Sequence, residues 1–143
     1  MIRTEKNMTY DKKMLVDRAC EARHKAYSPY SQFCVGAALL CADGEIISGA
    51  NIENSSYGAT NCAERTAFFT ALMQDRRDFT AMAIVGAKRG EEISSFCAPC
   101  GICRQVMAEF CKKDFEILLY DGKDIKPHTL SEILPEAFDK GNL

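Results

Sequence analysis

An α/β fold, with a mixed five-stranded sheet covered by helices, is what this sequence predicts. Three observations point to it. The apolar period switches back and forth between that of a helix and that of a strand. An Asp43-Gly44 pair stands between two apolar runs, a strong short-range signal for a hairpin. No repeat, linker or low-complexity stretch interrupts the 143 residues, so residues 1–143 are expected to form one domain. Alternating elements imply a sheet with helical faces, and the opening hairpin makes that sheet mixed.

Tyr10 to Ala26 reads as the first helix. Thr9 can cap it, and Met14, Leu15, Arg18, Ala19 and Ala22 give a mostly apolar face. Ser28-Pro29-Tyr30-Ser31 ends it, because the residue before a proline avoids the helical region. Phe33 to Cys41 is a strand whose Gly36, Ala37 and Ala38 imply close packing, and Glu45 to Asn51 is its return strand. The polar stretch 52–60 is a loop long enough to suggest function. Thr60 or Asn61 can cap a second helix, Cys62 to Gln74, with a stripe of Ala63, Ala67, Phe68, Ala71 and Leu72. Thr80 to Ala87 is a buried strand and 88–98 a loop. Pro99 suits the first turn of a third helix, Pro99 to Cys111. Phe115 to Tyr120 and Ile125 to Pro127 are strands around an Asp121-Gly122 turn, and Leu130 to Leu134 is a short helix. The order is α-β-β-α-β-α-β-β-α.

Composition narrows the function. Net charge is −2 and pI near 5.7, so there is no basic footprint for nucleic acid. The pairs Arg76-Arg77, Lys88-Arg89 and Lys112-Lys113 are scattered and read as solvated surface. Met1 to Lys13 is polar and lacks the apolar core of a signal peptide. No run reaches the length of a membrane span. A cytoplasmic protein is expected, and its eight cysteines then suggest metal or catalysis more than disulfides. Cys20, Cys34, Cys41 and Cys111 fall in apolar stretches and read as small core residues.

The chemistry concentrates in Asn61-Cys62-Ala63-Glu64-Arg65 and, 38 residues further on, Ala98-Pro99-Cys100-Gly101-Ile102-Cys103. Three thiolates make most of a tetrahedral zinc site and leave one position for water. Cys62 and Cys100 both open helices, whose N-terminal N–H groups and positive dipole end favour a thiolate. Cys100 and Cys103 share a helical face. Glu64 sits two residues from the first thiol, where it can serve that water only if the metal lies off the helix end. Three thiolates overcompensate the ion and weaken it as a Lewis acid. Arg65 and Arg104, each directly after a thiol, are candidate donors to sulfur. Cys97 offers a fourth thiol, and on the residues alone a closed structural site of four sulfurs is a real alternative. A redox dithiol of Cys100 and Cys103 fits less well, because the element order is not that of a thioredoxin. His24 and His128 lie outside the motif and read as surface or structural.

Cys62-Ala63-Glu64, Pro99-Cys100-Gly101-Ile102-Cys103-Arg104-Gln105 and Asn51-Ile52-Glu53-Asn54 resemble the small, homotetrameric cytidine deaminases. The likeness runs from Leu15 to Phe138 and includes Tyr27-Ser28-Pro29-Tyr30-Ser31, Phe33, Val35 to Leu40 and Leu134-Pro135. It implies the cytidine deaminase-like form of the predicted sheet. It implies one Zn²⁺ per subunit on Cys62, Cys100 and Cys103, with water or hydroxide as fourth ligand. Glu64 would take a proton from that water as it attacks C4 of cytosine, protonate N3, and pass a proton to departing ammonia. Asn51 and Glu53 would bind the ribose hydroxyls, Phe33 would pack on the pyrimidine, and the backbone around Ala63 would read the base edge. Tyr57 and Phe138 would complete a neighbouring subunit's pocket. Blasticidin-S deaminases share the zinc signature but lack the Asn-Ile-Glu-Asn segment, so Asn51 and Glu53 favour cytidine. The function implied is a pyrimidine-salvage hydrolase acting on the nucleosides cytidine and 2′-deoxycytidine, without nucleic-acid or membrane partners.

Overall fold

The structure, a computed structural model, describes residues 9–143. Helix α1 spans Lys12–Ala22 and continues as a 3-10 turn, Arg23–Lys25. Strands β1 (Phe33–Cys41) and β2 (Ile46–Ala50) form the opening hairpin. Helix α2 is Ala63–Met73, β3 is Phe79–Lys88, α3 is Gly101–Phe110, β4 is Glu116–Tyr120, β5 is Ile125–Thr129 and α4 is Leu130–Ile133. Short 3-10 turns at Tyr57–Ala59 and Lys140–Asn142 complete the chain.

The sheet order is β2-β1-β3-β4-β5, with β3 and β4 parallel and every other pair antiparallel. This is the mixed five-stranded α/β arrangement that the sequence predicts. The strand period of two assigns side chains to faces. Ala37, Leu39, Met82, Ile84, Ile117 and Leu119 face α2 and α3. Ala38, Ala81, Ala83, Val85 and Leu118 face Leu15, Val16 and Ala19 of α1. Phe68 centres the first core, edge-on to Phe79 at 5.3 Å between ring centroids, and a fully buried ring of this kind contributes about 3 kcal/mol. Two glycines let helices lie directly on the hairpin. A Cβ at Gly36 would come within 2.1 Å of the Ala19 carbonyl in α1, and one at Gly49 within 2.3 Å of the Ala63 carbonyl in α2.

Several boundaries differ from the sequence expectation for definable reasons. Asp11, not Thr9, caps α1, its Oδ1 accepting from the Met14 N–H at 3.0 Å. The helix ends at Ala22 rather than Ala26, where the last residues tighten into the 3-10 turn. Neither Thr60 nor Asn61 caps α2, because Ile52 and Asn61 exchange two backbone hydrogen bonds and Asn61 turns its amide to Thr66; Cys62 is the cap. Pro99 lies before α3 instead of in its first turn, since Cys100 takes the cap position. Strand β5 runs past Pro127 to Thr129, on an edge where a proline is tolerated. Cys34 and Cys41 are buried as expected, while Cys20 and Cys111 are partly buried, packed against the edges of the two cores. Among the described residues, no helix is long and apolar enough to cross a membrane.

Candidate active site

Helices α2 and α3 bring their N-termini together beyond one end of the sheet. Cys62 and Cys100 hold the cap positions, both with extended backbone, and their carbonyls accept the first helical N–H bonds, from Thr66 and Arg104. Neither thiol caps its own helix, so both are free to turn outward to each other. Their Sγ atoms lie 3.7 Å apart. Cys103, one turn into α3 and fully buried, completes a cluster whose three sulfurs lie within 4.8 Å of one another. Among the described residues no other group of three or more His, Cys, Asp or Glu converges in this way. His24 is exposed and outside it.

The donor chemistry suits zinc: three soft sulfurs lie within 4.8 Å of one another, no fourth His, Cys, Asp or Glu among the described residues joins them, and Cys100 is exposed, which is the donor set of an open site rather than a closed one. Hydrogen bonds from Cys103 and Arg65 pull the Cys62 thiol down, to about 5, while burial opposes them. Cys103 is pushed up, chiefly by sharing its proton with Cys62. Arg65 donates from Nη2 to Cys62 Sγ at 3.3 Å, whereas its Nε is buried without a partner. Two helix dipoles and one guanidinium therefore converge on the sulfurs, as a thiolate-rich metal site requires.

Glu64 is 4% exposed. Burial pushes its carboxyl up to about 7, its own backbone N–H opposes this, and the Cys62 charge adds to it. Its carboxyl interacts with Cys103, so acid and sulfurs share one enclosure. Position in the first turn, with the sulfur cluster off the helix end, resolves the problem of two side chains only two residues apart.

Cys97 stays out of the cluster. A Cβ on Gly86 would come within 2.9 Å of both Cys97 Sγ and the Phe33 ring, so thiol and ring meet over that glycine. Burial, with the charges of Glu64 and Cys62, pushes this thiol up to about 11, and it remains protonated. Arg104 departs from its expected role as a donor to sulfur. Its position in α3 turns the guanidinium away, to the Pro99 carbonyl at 2.8 Å and the Ile133 carbonyl at 2.7 Å. There it ties the segment before Cys100 to α4.

Asn51 lies beside β1 as a surrogate strand residue. Its Nδ2 donates to the Phe33 carbonyl and its Oδ1 accepts from the Val35 N–H, both at 2.9 Å. One hydrogen and one lone pair are left over. Glu53 Oε1 accepts from the Tyr30 and Ser31 N–H groups at 3.0 and 3.1 Å, and Oε2 accepts from Ser31 Oγ. The Ser31 bond, more than any other contact, holds its carboxyl below the usual range. Ser31 Oγ in turn accepts from the Phe33 N–H at 2.9 Å. Phe33 is half-buried and Ala63 fully buried. Tyr57 and Phe138 stand 75% and 62% exposed, with Tyr57 against the Tyr30 ring and the Phe138 carbonyl accepting from Gln105 Nε2 of α3 at 2.8 Å. Ser31 enters the sequence reading only within the segment Tyr27 to Ser31, and no local pattern marks its bond to Glu53.

The family model of the cytidine and deoxycytidylate deaminase zinc-binding region matches residues 9–119. The chain is 53% identical over 129 residues to the cytidine deaminase of Halalkalibacterium halodurans, across 90% of this chain and 94% of that one. It is 48% identical over 134 residues to the cytidine deaminase of Sporosarcina psychrophila, across 93% and 95%. The crystal structure of cytidine deaminase from Burkholderia pseudomallei superposes with a TM-score of 0.82 at 45% identity, covering 90% of this chain and 100% of that one. Agreement that extends through the zinc-binding region and nearly the full length of these relatives leaves one assignment: the chain belongs to the cytidine and deoxycytidylate deaminase family.

Proposed function

We propose that this protein is a zinc-dependent cytidine deaminase, hydrolysing cytidine and 2′-deoxycytidine to the uridine nucleosides and ammonia in pyrimidine salvage. One observation carries the reading: Glu64 is enclosed beside an open cluster of three sulfurs. Cys62, Cys100 and Cys103 would hold zinc. Zinc supplies, when bound, the Lewis acidity that brings a water's pKa down toward 7.

Glu64 moves the protons. Its carboxylate takes one from the water that attacks C4 and delivers it to N3, and then passes the second to the amino group as the C4–N bond breaks. The water's oxygen ends on C4, and its two protons end on N3 and on ammonia. Phe33 packs on the pyrimidine, and the backbone at Ala63, in the first turn of α2, still has N–H groups to offer the base edge. The unused hydrogen and lone pair of Asn51 and the last acceptor site of Glu53 Oε2 suit ribose hydroxyls.

Tyr57 and Phe138, too exposed to line the pocket of their own chain, would finish that of a neighbouring copy in a homotetramer. A cytoplasmic address fits the eight free thiols. The test is the fall in cytidine absorbance with purified protein, with and without a chelator strong enough to strip the metal. Activity abolished by the chelator and restored by zinc is the expected result, and no change in either sample rejects the reading. Glu64→Gln should retain metal while kcat drops at least about 100-fold.

A further inference from the structure

Lys88 and Arg89, a dipeptide that reads as solvated surface, close the end of β3 onto the turn that carries Tyr30 and Ser31. Lys88 Nζ donates to the Ser31 carbonyl at 3.0 Å. Arg89 donates three times: its N–H to the Gln32 carbonyl at 2.6 Å, its Nε to Gln32 Oε1 at 3.2 Å, and its Nη2 to Ser28 Oγ at 2.8 Å. The first of these adds one rung to the β1–β3 ladder, beyond the Phe33–Lys88 pair.

Gln32 needs that support. Its φ is +62°, a left-handed conformation unfavourable for a side chain without local compensation. All four of its polar groups are engaged, with the N–H on the Ser28 carbonyl at 3.0 Å and Nε2 on the Pro29 carbonyl at 3.0 Å; Arg89 takes the other two. The reversal at Gln32 aims two successive N–H groups, those of Tyr30 and Ser31, at one oxygen of Glu53. Ser31 Oγ, whose lone pair already receives the Phe33 N–H, must give its proton to the other oxygen. The carboxylate is thereby left with one open acceptor direction.

We propose that Arg89 is a positioning residue for nucleoside recognition: by fixing the Ser28–Gln32 turn it fixes the direction in which Glu53 can accept a ribose hydroxyl. This deepens the proposed function and rests on its assignment of Glu53 to the sugar. Arg89 also lies close enough for its charge to favour the Glu53 carboxylate, a smaller contribution than that of Ser31. Any residue at 89 keeps the backbone bond to the Gln32 carbonyl, but a lysine ammonium cannot reproduce the guanidinium's two directed bonds, to Gln32 Oε1 and Ser28 Oγ, so lysine is a poor replacement.

The experiment compares zinc-loaded wild type, Arg89→Ala, Arg89→Lys and Glu53→Gln on cytidine and on 2′,3′-dideoxycytidine, which lacks the hydroxyls in question. Amide exchange at Tyr30 and Ser31 is followed in the same proteins. Arg89→Ala is expected to raise KM for cytidine about tenfold, with kcat nearly unchanged and KM for the dideoxynucleoside at the wild-type level. The Tyr30 and Ser31 amides should exchange faster, and Arg89→Lys should resemble Arg89→Ala. An equal effect on both nucleosides, wild-type exchange at both amides, or full rescue by lysine would overturn the proposal. If Glu53→Gln fails to separate the two nucleosides, the sugar assignment falls and the proposal with it. A discriminating Glu53→Gln beside an unaffected Arg89→Ala defeats the proposal alone.

Discussion

Arg65 reaches back across one helical turn to donate to Cys62 Sγ at 3.3 Å. The guanidinium is held among atoms that carry negative charge once a metal is bound, and its buried Nε has no other acceptor. Arg65→Ala should therefore loosen the metal by about 10- to 100-fold, the usual scale for losing a group that supports metal ligands. Competition with a chromogenic chelator measures this directly. Unchanged zinc affinity in a folded Arg65→Ala protein would mean that the helix dipoles alone balance the sulfurs.

Cys97→Ser separates an open site from a closed one. Cys97 is half-buried over Gly86, beside Phe33, and does not join the three clustered sulfurs. The substitution should leave one zinc per chain, whereas Cys103→Ser should lose it. Loss of metal from Cys97→Ser would show that a fourth thiolate closes the site, and a water-based mechanism would then fail.

The motif residues were legible because their chemistry is local. Cysteine spacing and a glutamate beside the first thiol specify a metal and an acid before any fold is known. The sheet was legible because Phe33–Cys41 and Phe79–Lys88 carry apolar side chains on both faces, which leaves them little choice but a covered sheet. What escaped depends on partners far along the chain. Nothing near Arg104 announces that Ile133, 29 residues away, will take its guanidinium. Nothing near Arg89 announces the turn at Ser28, 61 residues earlier, or a left-handed Gln32. The cap of α2 moved to Cys62 for a similar reason, since the Ile52–Asn61 bridge had already engaged Asn61.

The alkaline limit of stability should trace partly to Tyr10. Its hydroxyl donates to Glu116 of β4, and Lys12 pairs with the same carboxylate at 3.3 Å. Burial first, then this hydrogen bond, raises the phenol well above its usual value. A raised folded-state pKa stabilises fully below the unfolded phenol's value of about 10, and that contribution is lost as pH rises beyond it. Wild type should melt higher than Tyr10→Phe at pH 8, and the gap should narrow above about pH 10. A gap that is constant across this range would assign the effect to packing rather than to the proton.

Gly49 governs where Glu64 sits. A Cβ there would meet the Ala63 carbonyl at 2.3 Å, the Ala67 nitrogen at 2.6 Å and the Ala67 Cβ at 3.0 Å, all rigid parts of α2, so no flexible side chain can swing away to accept it. Helix α2 must lift from β2, carrying Cys62, Ala63 and Glu64 with it. Gly36 provides the comparison, since its Cβ would strike the Ala19 carbonyl at 2.1 Å and displace α1, which bears none of the proposed catalytic groups. Overpacking of this kind costs about 1–3 kcal/mol, enough to lower Tm in both Gly49→Ala and Gly36→Ala by on the order of 5–10 °C. Their kinetics should part company. A shift of about 1 Å in a reacting group can cost 100-fold in rate, so Gly49→Ala should lose most of its kcat well below its melting point. Gly36→Ala should keep kcat within a few-fold of wild type. Equal kcat values in the two variants would mean that β2 yields instead of α2, and that the position of Glu64 is set by the sulfur cluster rather than by the hairpin beneath it.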